Sequence, residues 1–164
     1  MASTENAEET KPSGTYEGGC HCGYIKYAVT LSPPFPEYTI LECNCSICVR
    51  SGYLLTYPNR EDVKWHGDSR ERCAVYQFNT KEKDQLFCPY CGTSIGIDFR
   101  DAFKPKFDGY GISARTFYGL DLQSLKFKKG NGVENVPPNE DLSGRQWEID
   151  HAERMKAEAE GQTA

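Results

Sequence analysis

Seven of the eight cysteines in this chain fall into three short groups: Cys20-His21-Cys22, Cys43-Asn44-Cys45-Ser46-Ile47-Cys48 and Cys88-Pro89-Tyr90-Cys91. Thiolates at C-x-C and C-x-x-C spacing are suited to sharing one metal ion between two groups, so they dictate which distant segments must meet. The first and third groups together supply four thiolates, enough to close a tetrahedral zinc site. The middle group supplies three, which cannot close one, and so leaves the free position that catalytic zinc needs and structural zinc lacks. Two zinc ions of different kinds follow from this arithmetic. On spacing alone two other readings stay open: all seven cysteines are structural, with Cys73, His21 or His66 completing the second site, or the cysteines form a disulfide scaffold.

The compartment bears on that choice. Residues Met1 to Thr10 carry no basic segment followed by an apolar one, so nothing there reads as a secretory signal. No apolar run approaches the roughly 18 residues that a membrane helix needs. The expectation is a cytoplasmic chain, where cysteines are poor disulfide formers and good metal ligands. A net charge of −5 and a pI near 5.3 argue against a nucleic-acid or anionic-membrane surface, since both depend on clustered Lys and Arg. The expected partner is a small-molecule substrate. Only 38% of residues are hydrophobic and the mean hydropathy is −0.67, low for a 164-residue domain. Metal binding can supply stabilisation that burial does not.

Along the chain, residues 1–14 are polar and aperiodic and read as a disordered leader. Alternation predicts strands over 25–31, 37–42, 53–57, 63–67, 74–78, 85–87, 95–99 and 111–117, an antiparallel, meander-like all-β pattern punctuated by Gly and Pro. Asp121 is placed to cap a single helical turn over 121–125. Cys73 stands alone in a strand pattern and reads as a small buried hydrophobe. Past Gly130-Asn131-Gly132 the composition turns to Asn, Pro, Glu and Gly. There Trp147, His151 and Met155 recur every four residues, marking a candidate amphipathic C-terminal helix. The expected organisation is a leader (1–14), a zinc domain (15–130) and a C-terminal extension (131–164).

The motifs Gly18-Gly19-Cys20-His21-Cys22-Gly23, Cys43-Asn44-Cys45-Ser46-Ile47-Cys48 and Phe87-Cys88-Pro89-Tyr90-Cys91-Gly92 resemble, in order and spacing, the glutathione-dependent formaldehyde-activating (CENP-V/GFA) family. The resemblance implies an Mss4-like (β-tent) fold of antiparallel sheets stapled by two zinc ions, with short helical turns. It implies that Cys20, Cys22, Cys88 and Cys91 hold a structural zinc and that Cys43, Cys45 and Cys48 hold a catalytic one, in agreement with the ligand count. The implied activity is carbon–sulfur lyase chemistry that joins an aldehyde to glutathione or another small thiol. Gln85 stands where family members often have His, and Val49, Ser113 and Tyr118 also depart from the family pattern. These changes remove polar or charged groups and add aromatic area.

Three functions therefore compete. The first is a zinc-dependent thiol–aldehyde adduct-forming enzyme, or carbon–sulfur lyase, with Arg50 and Arg115 as candidate substrate-binding cations. The second keeps the open zinc but takes a larger aromatic carbonyl compound; Tyr53, Tyr57 or Tyr118 beside the second zinc would favour it. The third is a non-catalytic zinc-stapled module that binds a protein, which requires a closed second site and no pocket.

Overall fold

The computed structural model describes residues 11–140 and 142–161. Most of the expected leader lies outside them; residues 11–13 are exposed coil. The described elements run β1 (Gly14–Gly19), β2 (Lys26–Leu31), β3 (Thr39–Cys43), α1 (Ser46–Ser51), β4 (Leu55–Thr56), β5 (Val63–Trp65), β6 (Ala74–Tyr76), β7 (Asp84–Phe87), β8 (Ser94–Asp98), β9 (Tyr110–Ser113), β10 (Lys126–Gly130) and α2 (Arg145–Ala159). They form a small sheet ordered β1-β2-β5 and a larger one ordered β10-β3-β4-β9-β8-β7-β6. The fold is all-β and antiparallel throughout, except where β10 pairs parallel with β3 at one edge.

Alternation within each strand sorts residues onto two faces. From the small sheet, Tyr27, Val29 and Leu31 point inward. They meet Ile40, Leu86 and Ile112 of the large sheet in the main core, where each is at most 2% exposed. Burying an aliphatic or aromatic side chain of this size contributes roughly 1.5–3 kcal/mol, so this inter-sheet layer carries most of the apolar stabilisation. The opposite face of the large sheet holds a second cluster built from Leu55, Ile97 and Phe99 with Cys45 and Cys48. Leu41 and Val136 pack against it. Register makes the division plain: Leu86 and Ile112 flank Gly96 on the inner face, while Gln85 lies beside Ile97 on the outer one.

Several elements differ from expectation. The Cys43–Gly52 stretch is not loop alone, since six of its residues form α1, closed by Gly52 in the left-handed conformation (φ 66°). The expected strand over 111–117 ends at Ser113 and passes into a 3-10 turn, Ala114–Thr116. β1 and β10 were not anticipated: one is Gly-rich, and the other, Lys-Phe-Lys-Lys-Gly, is almost wholly exposed. Asp121 does cap a 3-10 turn, its side chain accepting from the Gln123 N–H at 3.0 Å. The C-terminal helix α2 exists, but none of its described side chains is buried. The Trp147 side chain lies outside the described set.

A buried carboxylate ties the two sheets together. Asp98, 4% exposed at the end of β8, accepts from Arg60 at 2.7 Å and 3.3 Å and from Arg70 at 3.0 Å, and takes the Arg100 backbone N–H at 2.9 Å. Arg60 sits immediately before β5 of the small sheet. Burial alone would raise the Asp98 carboxyl, but these hydrogen bonds outweigh it and hold it below the usual carboxylate range. A carboxyl so depressed stabilises the fold above about pH 4 and loses that contribution as the pH falls. Asp98→Asn is therefore expected to cost roughly 3 kcal/mol at neutral pH in urea denaturation, because it removes the buried carboxylate that Arg60 and Arg70 share and leaves them only Asp108 and Asp84 nearer the surface. The gap between variant and parent should shrink below about pH 4; a gap independent of pH would contradict the assignment.

Candidate metal centres

Two of the cysteine groups are brought together as the ligand count requires. Cys20 and Cys22 lie in the β1–β2 turn and Cys88 and Cys91 in the β7–β8 turn, so this set joins the small sheet to the large one. Each turn closes as a knuckle. The Gly23 N–H donates to the Cys20 carbonyl, and the Gly92 N–H to that of Cys88. Both glycines take positive φ, 77° and 72°, which a side chain would disfavour.

The four Sγ atoms lie within 4.8 Å of one another. The Cys20–Cys22 and Cys22–Cys88 separations are 3.6 and 3.7 Å. A tetrahedron with metal–sulfur bonds of about 2.3 Å has edges of about 3.8 Å, so the set fits zinc, and all eight cysteines are free thiols. The Cys91 thiol is drawn down to about 5, first by the Thr93 hydroxyl and then by the Thr93 backbone N–H, whereas burial pushes Cys88 up to about 12. Full ionisation of the set therefore calls for a cation.

The third group stands alone. Cys43 ends β3, Cys45 precedes α1 and Cys48 lies on it, and their Sγ atoms also fall within 4.8 Å of one another. Among the described residues no fourth Cys, His, Asp or Glu completes the set. Burial and the neighbouring Cys45 and Cys43 push the Cys48 thiol far up, so a bound cation would reverse the most unfavourable ionisation here.

The segment after β10 folds back over this group. Asn44 receives the Val133 N–H at 3.0 Å and donates to Asn131 at 3.1 Å. Gly132 packs so close that a Cβ there would overlap the Cys43 Sγ. Residues 131–140, expected in a C-terminal extension, thus wall the site.

All three cysteines of this group line a cavity of about 500 Å3. Tyr57, Phe78, Phe99 and Phe103 supply its aromatic walls, Asn135 to Pro137 its roof, and Glu82, Lys83 and Glu140 its charged groups. Neither arginine singled out from the sequence is among the lining residues. Arg50 borders neighbouring depressions, one of which shares Ile47 and Phe78 with the cavity, and the Arg115 Nε donates to the Gly52 carbonyl at 2.8 Å. Of the three tyrosines, Tyr57 lines the cavity. Tyr53 is buried and donates to the Gly96 carbonyl, and Tyr118 is exposed near Gly19.

Neither His21 nor His66 belongs to a cysteine group; His66 lies 3.3 Å from Glu17. Cys73 packs in the main core with its thiol toward the Ser69 carbonyl, and burial raises it to about 11. Apart from the cysteines and Tyr57, the lining was not singled out from the sequence as a site: Phe78, Phe99, Phe103, Glu82, Lys83 and residues 135–137 come together only in the fold. Gln85, noted from the sequence as a departure from the family pattern, lines it too and faces opposite to Leu86 on β7.

Substitutions separate these roles. Cys91→Ser is expected to lose about one metal equivalent by elemental analysis and to lower Tm, whereas Cys73→Ala should leave the metal content unchanged. Gly132→Ala should weaken metal binding at the three-sulfur group alone, by roughly 10–100-fold, as expected when a neighbour that seats a ligand is disturbed.

Comparison with known proteins places the chain. The family model described as glutathione-dependent formaldehyde-activating enzyme matches residues 15–108. A curated relative from Halomonas elongata carrying the same family description is 29% identical over 90 residues, which cover 49% of this chain and 54% of that protein. The chain thus spans about half the length of the curated relative it matches. The crystal structure of a Rhodobacter sphaeroides protein, 23% identical, superposes with a TM-score of 0.55 over 68% of this chain and 99% of that one, a likeness of fold. With the family model covering more than half its length, this chain belongs to the glutathione-dependent formaldehyde-activating enzyme family.

Proposed function

We propose that this protein makes or breaks a carbon–sulfur bond between a small thiol, glutathione or another, and an aldehyde, at a zinc ion held by Cys43, Cys45 and Cys48. The observation that carries the reading is the contrast between the two cysteine sets. One is closed by four sulfurs, and the other stops at three and borders a cavity. When bound there, zinc supplies a Lewis acid with a free position that can lower the pKa of a thiol or polarise a carbonyl.

The chain's own residues do the rest. β3 and α1 fix the three sulfurs, and the Cys45 N–H donates to the Cys43 Sγ at 3.5 Å. Leu55, Ile97 and Phe99 keep water from one side, and the Asn135–Pro137 roof covers another. In the forward direction the thiol sulfur adds to the carbonyl carbon, the C=O electron pair moves to oxygen, and that oxygen takes the proton the thiol gives up. Cleavage is the same path reversed. The aromatic walls, with Tyr57 among them, favour an aldehyde larger than formaldehyde. The protein-binding alternative needs a closed second site, and Cys73 is held elsewhere in the core.

Metal analysis combined with NMR exchange of an aldehyde–thiol adduct tests this. The parent should carry about two zinc ions and accelerate adduct exchange, and Cys45→Ser should lose about one ion and at least ~100-fold in acceleration, the scale typical when a charge-stabilising group is removed. Full zinc content together with full acceleration in Cys45→Ser would sink the reading.

A further inference from the structure

Residues 131–140 run over the cavity as a strap whose two ends are held in different ways. The near end is fastened by backbone and by packing. Gly130 closes the parallel pairing of β10 with β3 opposite Cys43, and the Asn44 N–H donates to the Gly130 carbonyl at 3.1 Å. The Asn135 and Val136 N–H groups donate back to the Gly132 carbonyl at 3.0 and 2.8 Å, and Val136 packs on the cluster that holds Cys45 and Cys48. With Gly132 pressed against Cys43, this end cannot lift without disturbing a candidate metal ligand.

The far end is fastened by side chains. Pro137 and Pro138 have no N–H to donate, and their carbonyls are taken by one residue of the β6–β7 connection. The Asn79 Nδ2 donates to the Pro138 carbonyl at 3.0 Å and to that of Pro137 at 3.4 Å, while its Oδ1 accepts from the Glu140 N–H at 3.1 Å. The Asn139 Nδ2 adds a bond to the Tyr76 hydroxyl at 3.1 Å. All of these bonds are exposed, as are Pro137, Pro138 and Glu140 themselves. Exposed hydrogen bonds with little apolar burial beneath them mark the segments that open at least cost.

The seam closed in this way runs along the cavity. Asn79, Glu82 and Lys83 line it from one side and Pro137 and Glu140 from the other, so the charged lining is gathered at this edge. Asn79 has a left-handed φ of 49°, which asparagine adopts more readily than most residues. One residue thus makes the turn and bridges the seam.

We propose that the strap is a gate that pivots beyond Val136, that Asn79 is its latch, and that ligands reach the three-sulfur group through the seam between the β6–β7 connection and residues 137–140. Asn79 touches no reacting atom on this account; it is a positioning residue that holds one wall closed.

Removing the latch tests this without turnover. Asn79→Gly takes away the amide and keeps the turn, since glycine accepts the same φ. In the zinc-loaded full chain, hydrogen exchange followed by NMR should be about 10-fold faster at the Glu140 N–H, the scale of a lost hydrogen bond or two, with the Val133 and Val136 N–H groups at parent rates. Transfer of zinc to the planar chelator pyridylazoresorcinol should speed up about 10-fold for one of the two ions and stop at the parent's end point, because a gate changes the rate of passage and not the affinity behind it. Asn79→Asp keeps an acceptor for Glu140 but offers the proline carbonyls no donor; it should show smaller changes of the same kind, and it serves if the glycine variant folds poorly.

Zinc transfer at the parent rate, or faster transfer of both ions, would overturn the proposal. So would an end point with less zinc retained, which would make Asn79 a support of the metal, or faster exchange at Val133 and Val136, which would put the opening at the other end. Absence of adduct exchange with any thiol and aldehyde would defeat the reaction proposed above and leave the gate standing.

Discussion

Everything in this fold depends on where thiolates can be put. A cluster of ionised sulfurs repels itself, and burial makes each charge costlier still. The structure nonetheless gathers seven cysteine sulfurs into two sets, each within 4.8 Å. Fully ionised, such sets call for a cation, and a metal held by four sulfurs would help a chain with modest apolar content hold two separate sheets together. The four-sulfur set joins the β1–β2 turn to the β7–β8 turn, and Asp98 with Arg60 and Arg70 makes a second, polar tie between the same two sheets. Between these ties lies the main apolar core.

The same constraint, left incomplete, produces the candidate site. At Cys43, Cys45 and Cys48 the surrounding structure supplies shape instead of a fourth sulfur. Gly132 allows the chain to close against Cys43, Asn44 clamps that closure, and the outer face of the large sheet provides a dry aromatic wall. On the proposed reading, stability and reactivity are divided between two sets of one chemistry.

Much of this was legible in the sequence because its signals are local. Cysteine spacing announced both sets, period-2 alternation marked most strands, and lone Cys73 was rightly read as core. What failed was decided by contacts between distant residues. β10 is lysine-rich because it is an edge, and its parallel pairing with β3 has no local signature. Gly130-Asn131-Gly132 read as the close of a domain, yet the missing side chain of Gly132 is what lets this segment press onto Cys43. Arg50 seemed close to the site by number. On a helix, however, residues two apart face different directions, so an α1 that turns Cys48 inward sends Arg50 outward.

The central claim is that one metal is held by four protein sulfurs and the other by three. Zinc K-edge X-ray absorption of the fully loaded protein tests it most directly. The account predicts about two zinc ions per chain, with an average of about 3.5 sulfur neighbours at about 2.3 Å and a lighter oxygen or nitrogen neighbour making up the remainder. An average of four sulfurs per zinc, or a single zinc per chain, would contradict it.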